Sequence, residues 1–297
     1  MTKNNTTTAP SLRRRELFAG VASTTTLTAL AALGSPGLAG ASAHQEKPRG
    51  TERKTGIQLY TLRGAMGQDA QATLTALAGM GYANVEFAGH AGHDPKVLRG
   101  WIDDLGLVAP AGHVDPNEVR LDPGPAIEAA VTLGHEYIVI AWIPEEQRRT
   151  LDDYRRWADV LNRTGEAAST AGIRMAYHNH DFEFVKLDGM MPQQLLMTET
   201  DPGLVDFELD YYWVAKAGLD IAEVLNWAPE RFTLAHIKDI NAAGEIADVG
   251  TGLIDFSGLL ASEGTAHLRY PFVEHDHPKD EFRSAAISHY GLTKALG

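Results

Sequence analysis

The chain has 297 residues, a formal charge of −13 and no cysteine. That length can bury one large core, and the missing cysteines exclude a disulfide scaffold. The acidity argues against nucleic acid or an anionic membrane as partner and suits a protein that handles neutral or cation-bound small molecules.

The N-terminus carries Arg13-Arg14-Arg15, then an uncharged stretch rich in Ala, Thr, Leu and Gly, then Ala41-Ser42-Ala43. A basic region, a modest apolar region and an A-x-A site make a secretory signal, and the paired arginines indicate the twin-arginine route. Thr24, Thr25, Thr26 and Thr28 make the segment a poor spanning helix, so no stable membrane insertion is expected after cleavage. The expected organisation is a signal over 1–43, a polar linker over 44–55 and one domain over 56–297. The leader carries a net +3, which leaves a mature chain of 254 residues with a charge of −16. The expected destination is extracellular or periplasmic.

From Gly56 onward, short apolar runs alternate with longer segments of helical spacing. The runs are Ile57–Tyr60, Ala83–Ala88, Leu107–Ala111, Tyr137–Trp142, Ile173–Tyr177, Val205–Asp210, Phe232–Ile237 and Tyr270–Glu274. Between them, Asp69–Tyr82 places Ala72, Leu74, Leu77, Ala78 and Met80 on a core-facing stripe. Leu151–Gly172 does the same with Tyr154, Trp157, Ala158 and Leu161. Gly81, Gly106, Gly134 and Gly172 each stand where a helix would end and a strand begin. Eight such units in about 250 residues predict a single-domain α/β fold, the (β/α)8 TIM barrel. An open doubly wound sheet is the rival, but no Gly-x-Gly-x-x-Gly follows the first strand.

In such a barrel, function gathers at the C-terminal ends of the strands. Polar residues fall there: Glu86 on the second strand, His113 on the third, His178, His180 and Glu183 on the fifth. Glu208 and Asp210 end the sixth, His236 and Lys238 the seventh, and Glu274 to His277 the eighth. Carboxylates and imidazoles converging on one mouth would repel unless a cation held them. Mixed nitrogen and oxygen ligands suit one divalent Mn, Co, Zn or Fe ion better than Ca.

The motifs Gly56–Arg63, Tyr177-His178-Asn179-His180-Asp181-Phe182-Glu183-Phe184, Glu208–Trp213, His236-Ile237-Lys238-Asp239, Val249–Phe256 and Phe272–Asp276 are similar to those of the sugar phosphate isomerase/epimerase group of xylose-isomerase-like barrels. That resemblance implies one divalent ion held by Glu, Asp, His and Glu on strands five to eight. Asp210, His236 and Glu274 match the last three. The first departs: His178 stands where the glutamate would fall, with Glu183 folding back as the alternative ligand.

The implied chemistry is enediolate formation on a free or keto sugar, by an isomerase or epimerase. Glu274, Glu183 and His180 are the acid/base candidates. Lys238 is a candidate for oxyanion stabilisation, against a salt bridge to Asp239 or Glu208. Trp142, Tyr212 and Trp213 are candidates for stacking on a sugar, and Glu86 and His113 for binding its hydroxyls. A lyase or dehydratase on 3-keto-glycosides or inosose-like substrates, and a non-catalytic sugar-binding barrel, are the alternatives. The expected partner is a small carbohydrate, and a homo-oligomer is compatible with the sequence. Export argues for an unphosphorylated substrate, because sugar phosphates are cytoplasmic metabolites.

Overall fold

The computed structural model describes residues 53–297; the expected signal peptide lies outside them. Eight parallel strands close into a barrel: β1 Gly56–Gln58, β2 Asn84–Ala88, β3 Val108–Val114, β4 Tyr137–Ile140, β5 Arg174–His178, β6 Val205–Asp210, β7 Phe232–Ile237 and β8 Tyr270–Val273. Each strand pairs with the next, and β8 returns to β1. The first strand is shorter than its apolar run implies. Leu59–Leu62 turns into a 3-10 helix whose start is capped by the Gln58 side chain accepting from Tyr60 N.

The helices stop where glycine permits it. Gly81, Gly106, Gly134 and Gly172 adopt φ of 99°, 66°, 78° and 74°. Beyond each, the next amide reaches back to the helix, as in Tyr82 N to Leu77 O at 3.2 Å and Leu107 N to Ile102 O at 3.0 Å. A Cβ in that conformation would be strained, so these positions couple each helix to the following strand.

The helix Leu151–Ser169 buries Tyr154, Trp157, Ala158 and Leu161 as its spacing predicts. Burial of this kind stabilises by roughly 1.5–3 kcal/mol per large side chain. On Ala70–Met80, Leu74 and Leu77 are buried and Ala78 and Met80 pack against the core as expected, joined by Ala70 and Thr73; Ala72 alone of the expected stripe is exposed.

Inside the barrel, Ala111, Tyr137, Val139, Ala176, Leu234 and Phe272 form an apolar plug. At its N-terminal end Arg174 grips Asp206 with two bonds of 2.6 and 2.7 Å. The plug closes the bottom, so the polar strand ends face a single opening. Of the expected linker, Arg53 is pinned by bonds to the carbonyls of Leu260, Thr265 and Leu268. This part of the expected linker therefore packs on the barrel.

Candidate active site at the barrel mouth

Side chains two residues apart on a strand share a face. On β6 and β7 that rule stacks a deeper polar residue below a shallower one, Glu208 below Asp210 and His236 below Lys238; Glu274 and Asp276 follow with the same spacing just past β8. In register, His178 stands opposite Glu208 and Asp210 opposite His236.

The upper layer holds the expected metal set. His178, Asp210, His236 and Glu274 each offer one ligand atom, and these atoms lie within 4.8 Å of one another. His178 Nδ1 faces the Ala141 carbonyl at 3.1 Å, which leaves Nε2 directed at Asp210 Oδ2, 3.3 Å away. Asp210 Oδ1 accepts from Trp213 N at 3.0 Å, so Oδ2 alone faces the site. Asn179 clamps the Asp210 backbone, its Oδ1 accepting from Asp210 N at 3.0 Å. His236 Nδ1 is buried and 2.8 Å from Glu274 Oε2, yet off the line of a hydrogen bond. Four nitrogen and oxygen donors gathered this closely, on side chains held by bonds to their neighbours, are what a metal site requires.

Lys238 lies against this set. Its Nζ is 3.0 Å from Asp210 Oδ2, 2.8 Å from Glu274 Oε2 and 2.7 Å from Asp276 Oδ1, and the residue is 1 % exposed. Burial alone would lower its pKa, but the three carboxylates hold it well above the ordinary lysine value. Three carboxylates against one ammonium leave two negative charges, which a divalent ion would cancel. The donor set therefore fits such an ion in geometry and in charge. Burial followed by His236 keeps His178 well below the usual histidine range, the form that ligates. His236 is raised despite its burial, by Glu208 and Glu274, so its proton must leave for Nδ1 to bind metal.

Below this layer Glu86, His113, Glu208 and His236 form a second cluster. His236 Nε2 contacts Glu86 Oε2 at 2.7 Å and Glu208 Oε2 at 3.2 Å, and His113 Nε2 is 3.2 Å from Glu208 Oε2 and from Gln58 Nε2. Burial raises Glu86 and Glu208 to about 7 each. The imidazole of His236 thus spans the two layers, Nε2 downward and Nδ1 toward the mouth.

Not every expected residue faces the opening. Glu183 is fully buried behind the β5 loop, where Oε1 accepts from Tyr177 OH at 2.7 Å and Oε2 from His180 N at 2.8 Å. Both oxygens are engaged and it does not fold back toward the other ligands. Its place is beneath His180, whose ring stacks on Phe182 at 5.2 Å, with Arg148 3.6 Å from the Phe182 ring centre. Glu86 lies on the floor against His236, fully buried and not among the residues lining the cavity. The expected partners of Lys238 are also replaced. Asp239 instead accepts from the amides of Ile240, Gly250, Gly252 and Ile254, because it leaves the strand on the opposite face. Asp276 and Gln58 joined the site without being singled out; Asp276, two residues beyond Glu274, was open to the same alternation rule.

The cavity over the upper layer has a volume of about 470 Å³ and is lined by Tyr60, His113, Trp142, His178, His180, Lys238, Glu274 and Asp276 among others. A larger hollow of about 830 Å³ adjoins it, shares Asp276 and His277, and contains none of the four metal-set residues. Trp213 lines the second hollow, and its ring centre is 5.5 Å from Lys238 Nζ.

No family model matches the chain. Over 91 residues it is 31 % identical to the inosose dehydratase of Lacticaseibacillus casei, a match covering 31 % of this chain and 30 % of that enzyme's length. Among solved structures, the sugar phosphate isomerase/epimerase of Parabacteroides distasonis ATCC 8503 superposes with a TM-score of 0.72 at 26 % identity, over 83 % of this chain and 95 % of that one. An IolI protein with bound zinc has a TM-score of 0.66 at 16 % identity, over 82 % and 98 % of the two chains, and shares the fold. The fold is a closed eight-stranded TIM barrel, and sugar phosphate isomerase/epimerase and xylose-isomerase-like barrels are similar to it in structure. Sugar isomerases, epimerases and dehydratases are its neighbours.

Proposed function

We propose that the protein is a divalent-metal-dependent sugar isomerase or epimerase that moves the proton on a carbon beside a carbonyl. The convergence of His178, Asp210, His236 and Glu274 next to Lys238 carries this reading. A divalent ion held by that set would supply Lewis acidity to a substrate carbonyl. His180 lines the same cavity, within reach of a bound substrate, and burial followed by His178 favours its neutral ring, the form that can take a proton. Glu183 holds the His180 amide and fixes where that ring stands. Lys238 and Asp276 face the opening together and can stabilise or protonate an oxygen. Trp142, 47 % exposed at the end of β4, offers a face to a sugar ring.

The substrate in this proposal is unphosphorylated. Barrel phosphate sites use helix N-termini after the seventh and eighth strands. Here the helix Phe256–Ala261 is capped by Asp255, and the helix Glu281–Leu296 by Asp280. Carboxylates already occupy both anion positions. Export by the twin-arginine route remains part of the proposal and rests on the residues before His44.

The similarity to inosose dehydratase favours a second reading, a lyase or dehydratase that removes a β-substituent after the same proton abstraction. One experiment separates them: incubate the metal-loaded protein with neutral keto sugars in deuterium oxide. Deuterium in an isomer or epimer supports the first reading, and release of water or alcohol with an unsaturated product supports the second. Neither exchange nor turnover across the panel would overturn both.

A further inference from the structure

We propose a second ligand site behind β3, for a small neutral arene whose hydroxyl donates to His135 Nε2. It does not depend on the metal set. Strand alternation sends Phe87, Gly112 and Ile138 outward, opposite Glu86, Ala111 and Val139. Between those outward residues and the helix Gly124–Leu133 lies a cavity of about 280 Å³. The end of β3, at His113 and Val114, borders both this cavity and the one at the mouth. An occupant would therefore stand behind the strand that carries His113, not over the metal set.

His135 supplies the polar group. Its Nδ1 stands 2.6 Å from the Ala109 carbonyl, which can only accept, so the ring proton is on Nδ1 and Nε2 carries a lone pair. That nitrogen takes no hydrogen bond among the described residues. A Cβ on Gly112 would stand 2.7 Å from Nε2, so the glycine leaves the lone pair open to the cavity that both residues line. His135 is 8 % exposed, and burial pushes its pKa down to about 4, so the ring is a neutral acceptor.

The walls are apolar. The helix contributes Ala126, Ala129 and Ala130, where larger side chains would close the gap to the sheet, and Phe87 and Ile138 form the opposite side. The Phe87 ring centre is 5.9 Å from that of His135. A water on Nε2 would turn its other bonds toward these walls, whereas an aromatic ring buries them. An apolar cavity of about 150 Å³ takes benzene, so this one accommodates such a ring with a substituent. The rim carries His90 with the exposed carboxylates Asp115 and Glu118, which disfavour an anion. The burial that keeps His135 uncharged equally disfavours a cationic donor. What remains is an uncharged ring with one donor, a phenol.

The test is a nuclear magnetic resonance titration of the zinc-loaded full chain, its histidines labelled with nitrogen-15, with phenol, anisole and benzoate. Phenol should saturate one site at least tenfold more tightly than anisole, which has no donor, or benzoate, and should move the His135 Nε2 resonance. His135→Phe keeps a ring and removes the acceptor, so phenol should fall to the affinity of anisole. Ala129→Leu fills the cavity and should weaken phenol at least tenfold. Asp210→Ala, which breaks the metal set, should bind phenol as the wild type does. Equal affinity for phenol and anisole in the wild type, or an unmoved His135 resonance, would overturn the site. So would full phenol affinity in either folded cavity variant, or loss of phenol in folded Asp210→Ala, which would place the ring at the mouth.

Discussion

His236 Nε2 and Glu86 Oε2 stand 2.7 Å apart, and neither residue has any solvent exposure. They are 150 positions apart in sequence, on β7 and β2, and meet on the floor of the barrel. The contact fixes which imidazole nitrogen faces the mouth. A carboxylate behind a metal-binding histidine is worth 10- to 100-fold in affinity. Glu86→Ala should therefore weaken zinc binding by that factor in a chelator competition, with far-UV circular dichroism unchanged. Undiminished zinc affinity would show that the floor does not orient His236.

The two candidates for the strand-five ligand separate by metal content. His178→Ala and Asp210→Ala should lose bound metal in elemental analysis. Glu183→Ala should retain it and lose turnover instead, because its oxygens hold Tyr177 and the His180 amide. Metal loss in Glu183→Ala with full occupancy in His178→Ala would reverse the assignment.

Lys238 is the fixed cation among Asp210, Glu274 and Asp276. Removing one partner of a buried ionic group costs about 3–5 kcal/mol, since the carboxylates lose their counter-charge. Lys238→Met should show that loss in urea unfolding of the metal-free protein. Added zinc should restore more stability to the variant than to the wild type. Activity should fall by about 10²–10³, the loss expected when a donor to a developing oxyanion is removed.

Burial raises Glu86, Glu183 and Glu208 from 4.5 to about 7 each. Between those values the folded protein binds more protons than the unfolded chain. Stability from these groups is complete below about pH 4.5 and is lost as pH rises through 7, by up to ~1.4 kcal/mol per pH unit per group. Buried histidines held below their ordinary range, such as His178 and His180, have the opposite pH dependence, so one carboxyl's share is read as a difference between two proteins. The stability of the metal-free wild type relative to Glu183→Gln, which lies outside the metal set, should fall from pH 5 to pH 8 in urea unfolding. A difference that stays constant or grows over the interval would contradict the raised value.

Much of the site was legible because strand alternation and strand ends are local features. The four proposed ligands, Lys238 and His113 all follow from position on an apolar run and from family resemblance. The tyrosine and glutamate of the β5 block were harder to read. Tyr177 and Glu183 are six residues apart and join across the back of a loop, and no periodicity encodes that return. Asp239 was misleading for a related reason. As Lys238's neighbour it looks like a counter-ion, yet alternation sends it to the other face.

The sequence by itself determined the eight units, the helix stops at Gly81, Gly106, Gly134 and Gly172, and the polar residues at the strand ends. Each is a property of neighbours along the chain: backbone conformation and side-chain alternation. The tertiary structure alone decided that His236 spans two layers, that Lys238 answers three carboxylates, and that a larger hollow adjoins the metal set. Those depend on barrel closure, which places β2, β6, β7 and β8 side chains within bonding distance across long stretches of sequence. Burial then decides what such contacts do, since low polarity inside the barrel raises carboxylate pKa values and strengthens every charge pairing.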